Sequence, residues 1–390
     1  MEKKPKHVKV MGNVSGDNEG GILKIMAHDL LKEFCMAFLT ASIALTAYVG
    51  IEELARIDET TYVHAMPKGE MSPGVAIIDV GPLDPSGNST LERRKLAALL
   101  KLLEKTSIVI GVNMVLDTNK DLSADREIAE LAKVNKNIVF AVCSNSCDLF
   151  SDLQRAEPAL GDARFPDMYS KGRLGITGIP DKNLDGANQY TFGFAVMQAL
   201  VKNKILNEDH LTDSLTWHPT YRSLSIRQIL TKFGIENDIP VYDADRVLSG
   251  DVRPNASKVI LIGSVSTNFA AFDVAQSFSM RHPVSSTVID ASTISTVMRG
   301  SFIQTVHPGG YFAVLVIIGT VMCPLLRRVR NTPILIFVVM PTFALSILFA
   351  SGFLLANGNL QVPGTPLVIT VFLVVFRIFG QRARSARAAG

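Results

Sequence analysis

Two aspartates close the first two apolar runs in the middle of this chain. Val75-Ala-Ile-Ile-Asp79-Val80 runs into the turn residues Gly81 and Pro82, and Ser107 to Val115 closes at Asp117. Short apolar runs bounded by turn signals read as buried strands. Asp79 and Asp117 then stand at the carboxyl ends of strands predicted to be neighbours, which is where open α/β sheets bind ligands. Two carboxylates there suit a small-molecule or cation site. Asp is also a good cap for turns and helices, and that reading stands beside the first. Asn113, on the alternate side of its strand from Met114, is a buried polar group that serves either purpose.

Other constellations are weaker. Asp181-Lys-Asn183-Leu-Asp185-Gly186 has oxygen-bearing side chains at positions 1, 3 and 5 and Gly at 6, like the opening of a calcium loop. Position 12 of such a loop is a bidentate Glu, and here it is Phe192. A turn built on Asx hydrogen bonds is the better reading, with a partial calcium site as the alternative. Gly263-Ser-Val-Ser-Thr follows an apolar run and offers backbone amides to an anion, but lacks the spacing of a phosphate loop.

Cys143 and Cys147 would form a disulfide in an oxidising compartment. A C-x3-C pair without a nearby His is no zinc site. The seven histidines are scattered, and no nucleophile-elbow motif is present. The chain reads as neither an enzyme nor a cofactor carrier.

The elements that must position these residues divide into two materials. Over 390 residues the chain is 47% hydrophobic and 19% charged, with a mean hydropathy of +0.25. Soluble domains carry about 25% charged residues, so the apolar excess has to be located. It gathers in residues 34–51, 311–326, 333–355 and 360–379. Runs of this kind are about long enough to cross a bilayer as helices, the outer two with boundary residues added. Before the first run lie Lys3, Lys4, Lys6, Lys9, Lys24 and Lys32. Arg327, Arg328 and Arg330 follow the second, and Arg377, Arg382, Arg384 and Arg387 accompany the end of the fourth. Residues 356–366 carry no Lys or Arg.

By the positive-inside rule the basic segments are cytoplasmic. The expected layout is a cytoplasmic segment 1–33, one span, an outer domain 52–308, three spans and a basic cytoplasmic tail 380–390. A cleavable signal peptide needs a shorter basic leader and a shorter apolar core than this. The net charge of +3 with no basic stripe excludes a nucleic-acid binder, and four cysteines exclude a disulfide-built fold.

The outer domain alternates strand and helix. Helices are predicted over 91–105, 124–134, 192–201, 223–232 and 288–299, and strands over 75–80, 107–115, 137–142 and 258–263. An irregular stretch is expected over 143–190. Strand, helix, strand at this spacing implies a mostly parallel sheet in an α/β domain.

The ordered set of local sequences resembles the CHASE2 family of extracytoplasmic sensory domains, which has one span before the domain and three after it. Val75–Asp79 and Ile108–Asp117 are similar to its first two acid-terminated strands. Residues 175–186, with Asn183, Asp185 and Gly186, resemble its G-x-x-N…D-x-D-G stretch. Lys258–Gly263 followed by Asp273 resembles its K-x-V-x-I-G…D segment, and His282-Pro283 with 289–299 its closing helix. Asn188 and Gln189 stand where the family often has a basic residue, and its W-P-x-R turn is absent.

The candidate ligand-binding residues are therefore Asp79, Asn113 and Asp117 on the predicted strands, together with Asp185 and Asp273 in the segments that resemble the family. With about a dozen residues after the last predicted span, no output domain is expected there. The expectation is therefore a sensory or scaffold protein of a bacterial inner membrane acting through a separate membrane partner, with a second copy of the chain among the partners left open. The alternative is a structural accessory subunit of a membrane complex with no ligand sensing.

Overall fold

In a computed structural model of the protein, the described residues are 17–51, 54, 57–58, 74–82, 91–105, 109–116, 118–142, 149–162, 176–178, 191–213, 215–217, 227–230, 239–254, 257–266, 271–275, 281–300, 303–328, 338–358 and 360–389.

Helix α1, Asp17–Gly50, carries the first apolar run as part of a longer helix. The α/β domain follows with strand β1 (Val75–Asp79), helix α2 (Arg93–Glu104), β2 (Val109–Asn113), α3 (Leu122–Val134), β3 (Ile138–Val142), α4 (Ser151–Arg155) and β4 (Ala159–Asp162). Next come β5 (Ile176–Gly178), α5 (Phe192–Lys202), α6 (Glu208–Asp213), β6 (Leu215–Trp217), β7 (Arg227–Leu230), β8 (Val241–Asp243), α7 (Ala244–Leu248) and β9 (Val259–Gly263). The hairpin β10 (Ala271–Ala275) and β11 (Arg281–Ser285) leads into α8 (Ser286–Met298).

Six strands make one sheet in the order β4-β3-β2-β9-β1-β8, every pairing parallel. Alternation along each strand sends side chains to opposite faces. Ile78, Ile110, Val112, Phe140, Ile260 and Ile262 pack with α2, α3 and α4 on one face. Val75, Ile77, Val109, Val139 and Leu261 pack with α5 and α8 on the other. A sheet buried on both faces needs near-continuous apolar strands, and VAIID, VIGVN, IVFAV and VILIG supply them.

The sequence reading needs three corrections here. β1 and β2 are not neighbours, because β9 inserts between them. Within the helix expected over 223–232, Arg227–Leu230 is strand β7, the centre of an antiparallel three-stranded sheet with β5 and β6, and the other residues of that stretch lie outside the described ones; in sequence, Leu224, Ile226, Ile229 and Leu230 fit either period. The stretch expected to be irregular after Cys143 contains α4, β4 and β5.

Beyond the α/β domain, strand β12 (Gln304–Thr305) precedes helices α9 (Pro308–Arg328) and α10 (Met340–Gly358), strand β13 (Leu360–Gln361) and helix α11 (Gly364–Ala389). Leu30–Gly50, Gly309–Arg328 and Gly364–Ser385 are long and apolar enough to cross a membrane, and Met340–Leu354 is a shorter apolar helix. Helices α1, α9 and α11 pack on one another, and α10 packs against α11. Ala37, Ala41, Leu315 and Val316 are buried between α1 and α9. Gly319 allows that approach, since a Cβ there would stand 3.1 Å from the Ala37 Cβ.

Candidate functional site

The carboxyl edge of the parallel sheet gathers polar residues in one row. Register sets Asn113 of β2 opposite Gly263 of β9, and Gly263 opposite Asp79 of β1. Helix α8 lies over this row. Its N-cap is Ser285, whose Oγ accepts from the Val288 amide at 3.4 Å. The close fit depends on Gly263, where a Cβ would stand 2.5 Å from Thr287 Oγ1.

Asn113 is 5% exposed. Its Nδ2 donates to Thr287 Oγ1 at 3.3 Å and to Asp290 Oδ2 at 3.2 Å. Asp290 is buried, and its other oxygen faces the first turn of α5, where a Cβ on Gly193 would stand 2.5 Å from Oδ1. Burial raises the Asp290 carboxyl to about 8, against a pull the other way from the Gly193 amide. Desolvation disfavours the charged form, so at neutral pH this is mostly a neutral acid. The hydroxyls of Thr191, at the start of α5, and of Ser292 and Ser295 on α8 are buried with no hydrogen-bond partner among the described residues.

Asp79 does a different job. Its Oδ1 accepts from the Gly81 amide at 3.1 Å and from the Val265 amide at 3.1 Å, tying the end of β1 to the chain leaving β9. Gly81 takes a positive φ of 78° in that turn. The Ser266 amide donates to Ser264 Oγ at 3.1 Å. Two of the amides that an anion cradle after Gly263 needs are therefore already used.

Asp79 and Asn113 thus share one edge, on either side of Gly263. Asp273 lies in the middle of β10, opposite Pro283. Asp117, Asp181, Asn183, Asp185, Cys143 and Cys147 lie outside the described residues. Among the described residues no three His, Cys, Asp or Glu side chains converge as metal ligands, and the free cysteines are Cys35 and Cys323. Sequence reasoning missed Thr287, Asp290 and Gly193. The available signal was Asp290, the one charge in the 13-residue helix STVIDASTISTVM.

The arrangement joins one strand, β2, and two helices, α8 and α5, through one neutral acid and one amide. Among the described residues, the hydrogen bonds of Asp290 run to the Asn113 amide and the Gly193 backbone.

Comparison with known proteins agrees with this architecture. The CHASE2 domain model matches residues 37–326, from within α1 to the end of α9. The chain belongs to the CHASE2 family. No curated protein and no solved structure matches it. CHASE2 domains are extracellular sensory domains, not a catalytic family, and the apolar helices flanking this one suit a membrane-associated sensor. In this CHASE2 protein the matched region includes the second part of α1 and nearly all of α9, the helices that bracket the sheet.

Proposed function

We propose that this CHASE2 protein is a multi-pass sensor of a bacterial inner membrane, with one span before residues 52–308 and three after, and with both termini cytoplasmic. It binds its stimulus outside and acts through a separate membrane protein, without catalysis of its own.

The observation that carries the reading is the path from site to membrane. Helix α8 holds Asp290 over the sheet edge, ends at Met298, and is followed by the apolar helix α9 from Pro308. A stimulus that binds two positions of α8 with different affinity would move that helix. The charge pattern supports the orientation. Arg327 and Arg328 end α9, Arg382, Arg384 and Arg387 extend α11, and the connection from α10 to α11 is free of Lys and Arg.

Two labelling sites test the topology in a protein whose native cysteines are replaced by Ser. E130C reacts with a membrane-impermeant maleimide in intact spheroplasts, and S385C reacts only after lysis. Labelling of both from the same side sinks the reading. The stoichiometry of the protein purified from its own membranes tests the output. A constitutive complex of fixed composition, insensitive to any stimulus, would mark an accessory subunit instead.

A further inference from the structure

The apolar helices are tied at two ends, and the two ends differ in charge balance. At one end Asp58, from the segment after α1, caps α11. A helix start leaves backbone amides without partners, usually covered by a polar side chain at the N-cap. The residue before Gly364 is Pro363, which has none. Asp58 Oδ1 instead accepts from the Gly364 amide at 3.1 Å, the Thr365 amide at 2.9 Å and the Thr365 hydroxyl at 2.9 Å. These donors are neutral.

At the other end three guanidinium groups gather near one carboxylate. Glu33 of α1 pairs with Arg327 of α9 at 2.6 Å and with Arg377 of α11 at 2.9 Å. Arg382 of α11 donates to the Arg327 carbonyl at 3.2 Å, and Arg327 donates to Gln381 at 3.2 Å. The tail of α11 is thereby held at the end of α9. Arg327 makes both of its side-chain contacts through Nη2, and its side chain is 42% exposed. Arg328 and Arg384 are exposed and take no part in this network. Over residues 28–33, 326–328 and 376–389 the chain has seven Lys and Arg against two carboxylates, Asp29 and Glu33.

We propose that this end of the bundle binds the phosphate of an anionic phospholipid, of the phosphatidylglycerol type, through Arg327, Arg328 and Arg384. The inference rests on the membrane reading above, which puts this end at the cytoplasmic leaflet. Guanidinium groups take phosphate oxygens in a bidentate fashion, and basic clusters at the cytoplasmic ends of membrane helices attract anionic headgroups. Arg384 is seven residues beyond Arg377, about 10 Å along the helix. That is close to the Debye length of about 8 Å at physiological salt, so it acts on the same headgroup layer.

The apolar surface beside the cations identifies the source of the phosphate. Leu325 lies two residues before Arg327, Phe376 just before Arg377 and Leu31 just before Lys32, and they are 49%, 68% and 60% exposed. A soluble anion leaves that surface in water. An acidic protein face would set its charges against it. A phospholipid suits both parts, with its phosphate at the guanidinium groups and its acyl chains along Leu325 and Phe376.

The test uses the full chain in a neutral detergent. Native mass spectrometry measures binding of phosphatidylglycerol and of phosphatidylcholine to the same protein. Wild type binds phosphatidylglycerol in preference. R328Q/R384Q, which spares the Glu33 network, weakens that binding by about thirtyfold, at about fivefold for each cation near an anionic surface. R328K/R384K, which keeps both charges, retains most of it. K133Q/K202Q, which removes two exposed lysines of the α/β domain, leaves it unchanged.

Equal binding of the two lipids overturns the site, as does unchanged affinity in R328Q/R384Q or an equal loss in K133Q/K202Q. Glycerophosphoglycerol, the same headgroup without acyl chains, competes poorly. Competition at the lipid's own concentration would mark a soluble-phosphate site and overturn the lipid assignment. Loss of a co-purifying membrane protein from R328Q/R384Q, with lipid binding kept, would make this surface a protein contact instead. Lipid binding is scored in detergent and topology by maleimide labelling of E130C and S385C in cells, so failure of the lipid site and failure of the membrane reading are told apart.

Discussion

Asn113 and Asp290 stand 177 positions apart in sequence and 3.2 Å apart in the fold, the amide of a central strand donating to the carboxyl of the helix above it. That contact joins β2 to α8, which precedes α9. Truncating Asp290→Ala removes an acceptor and leaves the Asn113 amide buried with Thr287 alone. A buried donor left short of a partner costs about 1–3 kcal/mol. The thermal midpoint of D290A in detergent should drop by several degrees, and Asp290→Asn, which keeps an acceptor, should drop less. Equal midpoints for wild type and D290A would show that the contact contributes nothing to stability.

The same acid sets a pH dependence. Its carboxyl is raised to about 8 in the fold against about 3.9 unfolded. The folded state therefore holds one proton that the unfolded state has lost over that window. Its contribution to stability is complete below about pH 4 and is lost progressively as pH rises to about 8. Subtracting the unfolding free energy of D290N from that of wild type, at several pH values, should give a difference that declines with pH. A flat difference would place the Asp290 proton elsewhere.

Close packing beneath α8 makes a steric prediction. A Cβ on Gly263 meets Thr287 Oγ1 at 2.5 Å, and one on Gly193 meets Asp290 Oδ1 at 2.5 Å. Neither contact is tolerated without a shift of the Thr287 or Asp290 side chain or of α8 itself, and overpacking of this kind typically costs about 1–3 kcal/mol. G263A and G193A should each lower the unfolding midpoint. G250A, where no atom lies near the new Cβ but φ is +83°, should cost about as much as αL strain alone, about 1–2 kcal/mol. Denaturant titration of the three variants separates clash from strain: wild-type stability in G263A would mean that α8 adjusts freely.

The four inner strands of the main sheet, β1, β2, β3 and β9, were legible because burial on both faces leaves an apolar run that no other element of that length explains, whereas the short edge strands β4 and β8 carry no such run and were not read. Their order was not. The insertion of β9 between β1 and β2 depends on which strands close the core together, and a local pattern of side chains carries no record of it. Asp79 was legible for the same reason as its strand, and its two hydrogen bonds to Gly81 and Val265 match the turn-capping reading. Asn113 was visible as a buried polar residue, but its partners lie in a helix whose hydroxyl-rich sequence reads as an ordinary buried segment. Asp58 was invisible as a cap, because a cap is normally sought next to the helix it serves.

Arg93 and Asp125 form the buried ion pair of the opposite face, with Arg93 Nε 3.4 Å from Asp125 Oδ1 and the side chains 5% and 0% exposed. The arginine also donates to the Thr118 carbonyl at 3.3 Å, and Asp125 Oδ2 accepts the amides of Lys120 and Asp121. Removing one member of such a pair strands the other charge, at about 3–5 kcal/mol. R93A should unfold at clearly lower denaturant than R93M/D125N, in which neither charge remains. A double variant no more stable than R93A would show that stranded charge is not the source of the loss.

At the other end of the helices from Asp58, Glu33 of α1 binds two arginines at once. Its Oε1 is 2.6 Å from Arg327 of α9 and its Oε2 is 2.9 Å from Arg377 of α11. Arg327 also donates to Gln381 at 3.2 Å. An acid among apolar helices that satisfies two cations is expensive to remove, because both guanidinium groups are left to find other partners. The bundle is then tied at both ends, near Asp58 at one and near Glu33 at the other. E33Q should weaken the tie at Glu33 while leaving the one at Asp58 intact. Disulfide trapping between cysteines placed at the α1 and α11 ends would register this as slower cross-linking near residues 33 and 377 and an unchanged rate near 48 and 365. Equal slowing at both ends would mean that the bundle loosens as a whole, and that the two ties are not independent.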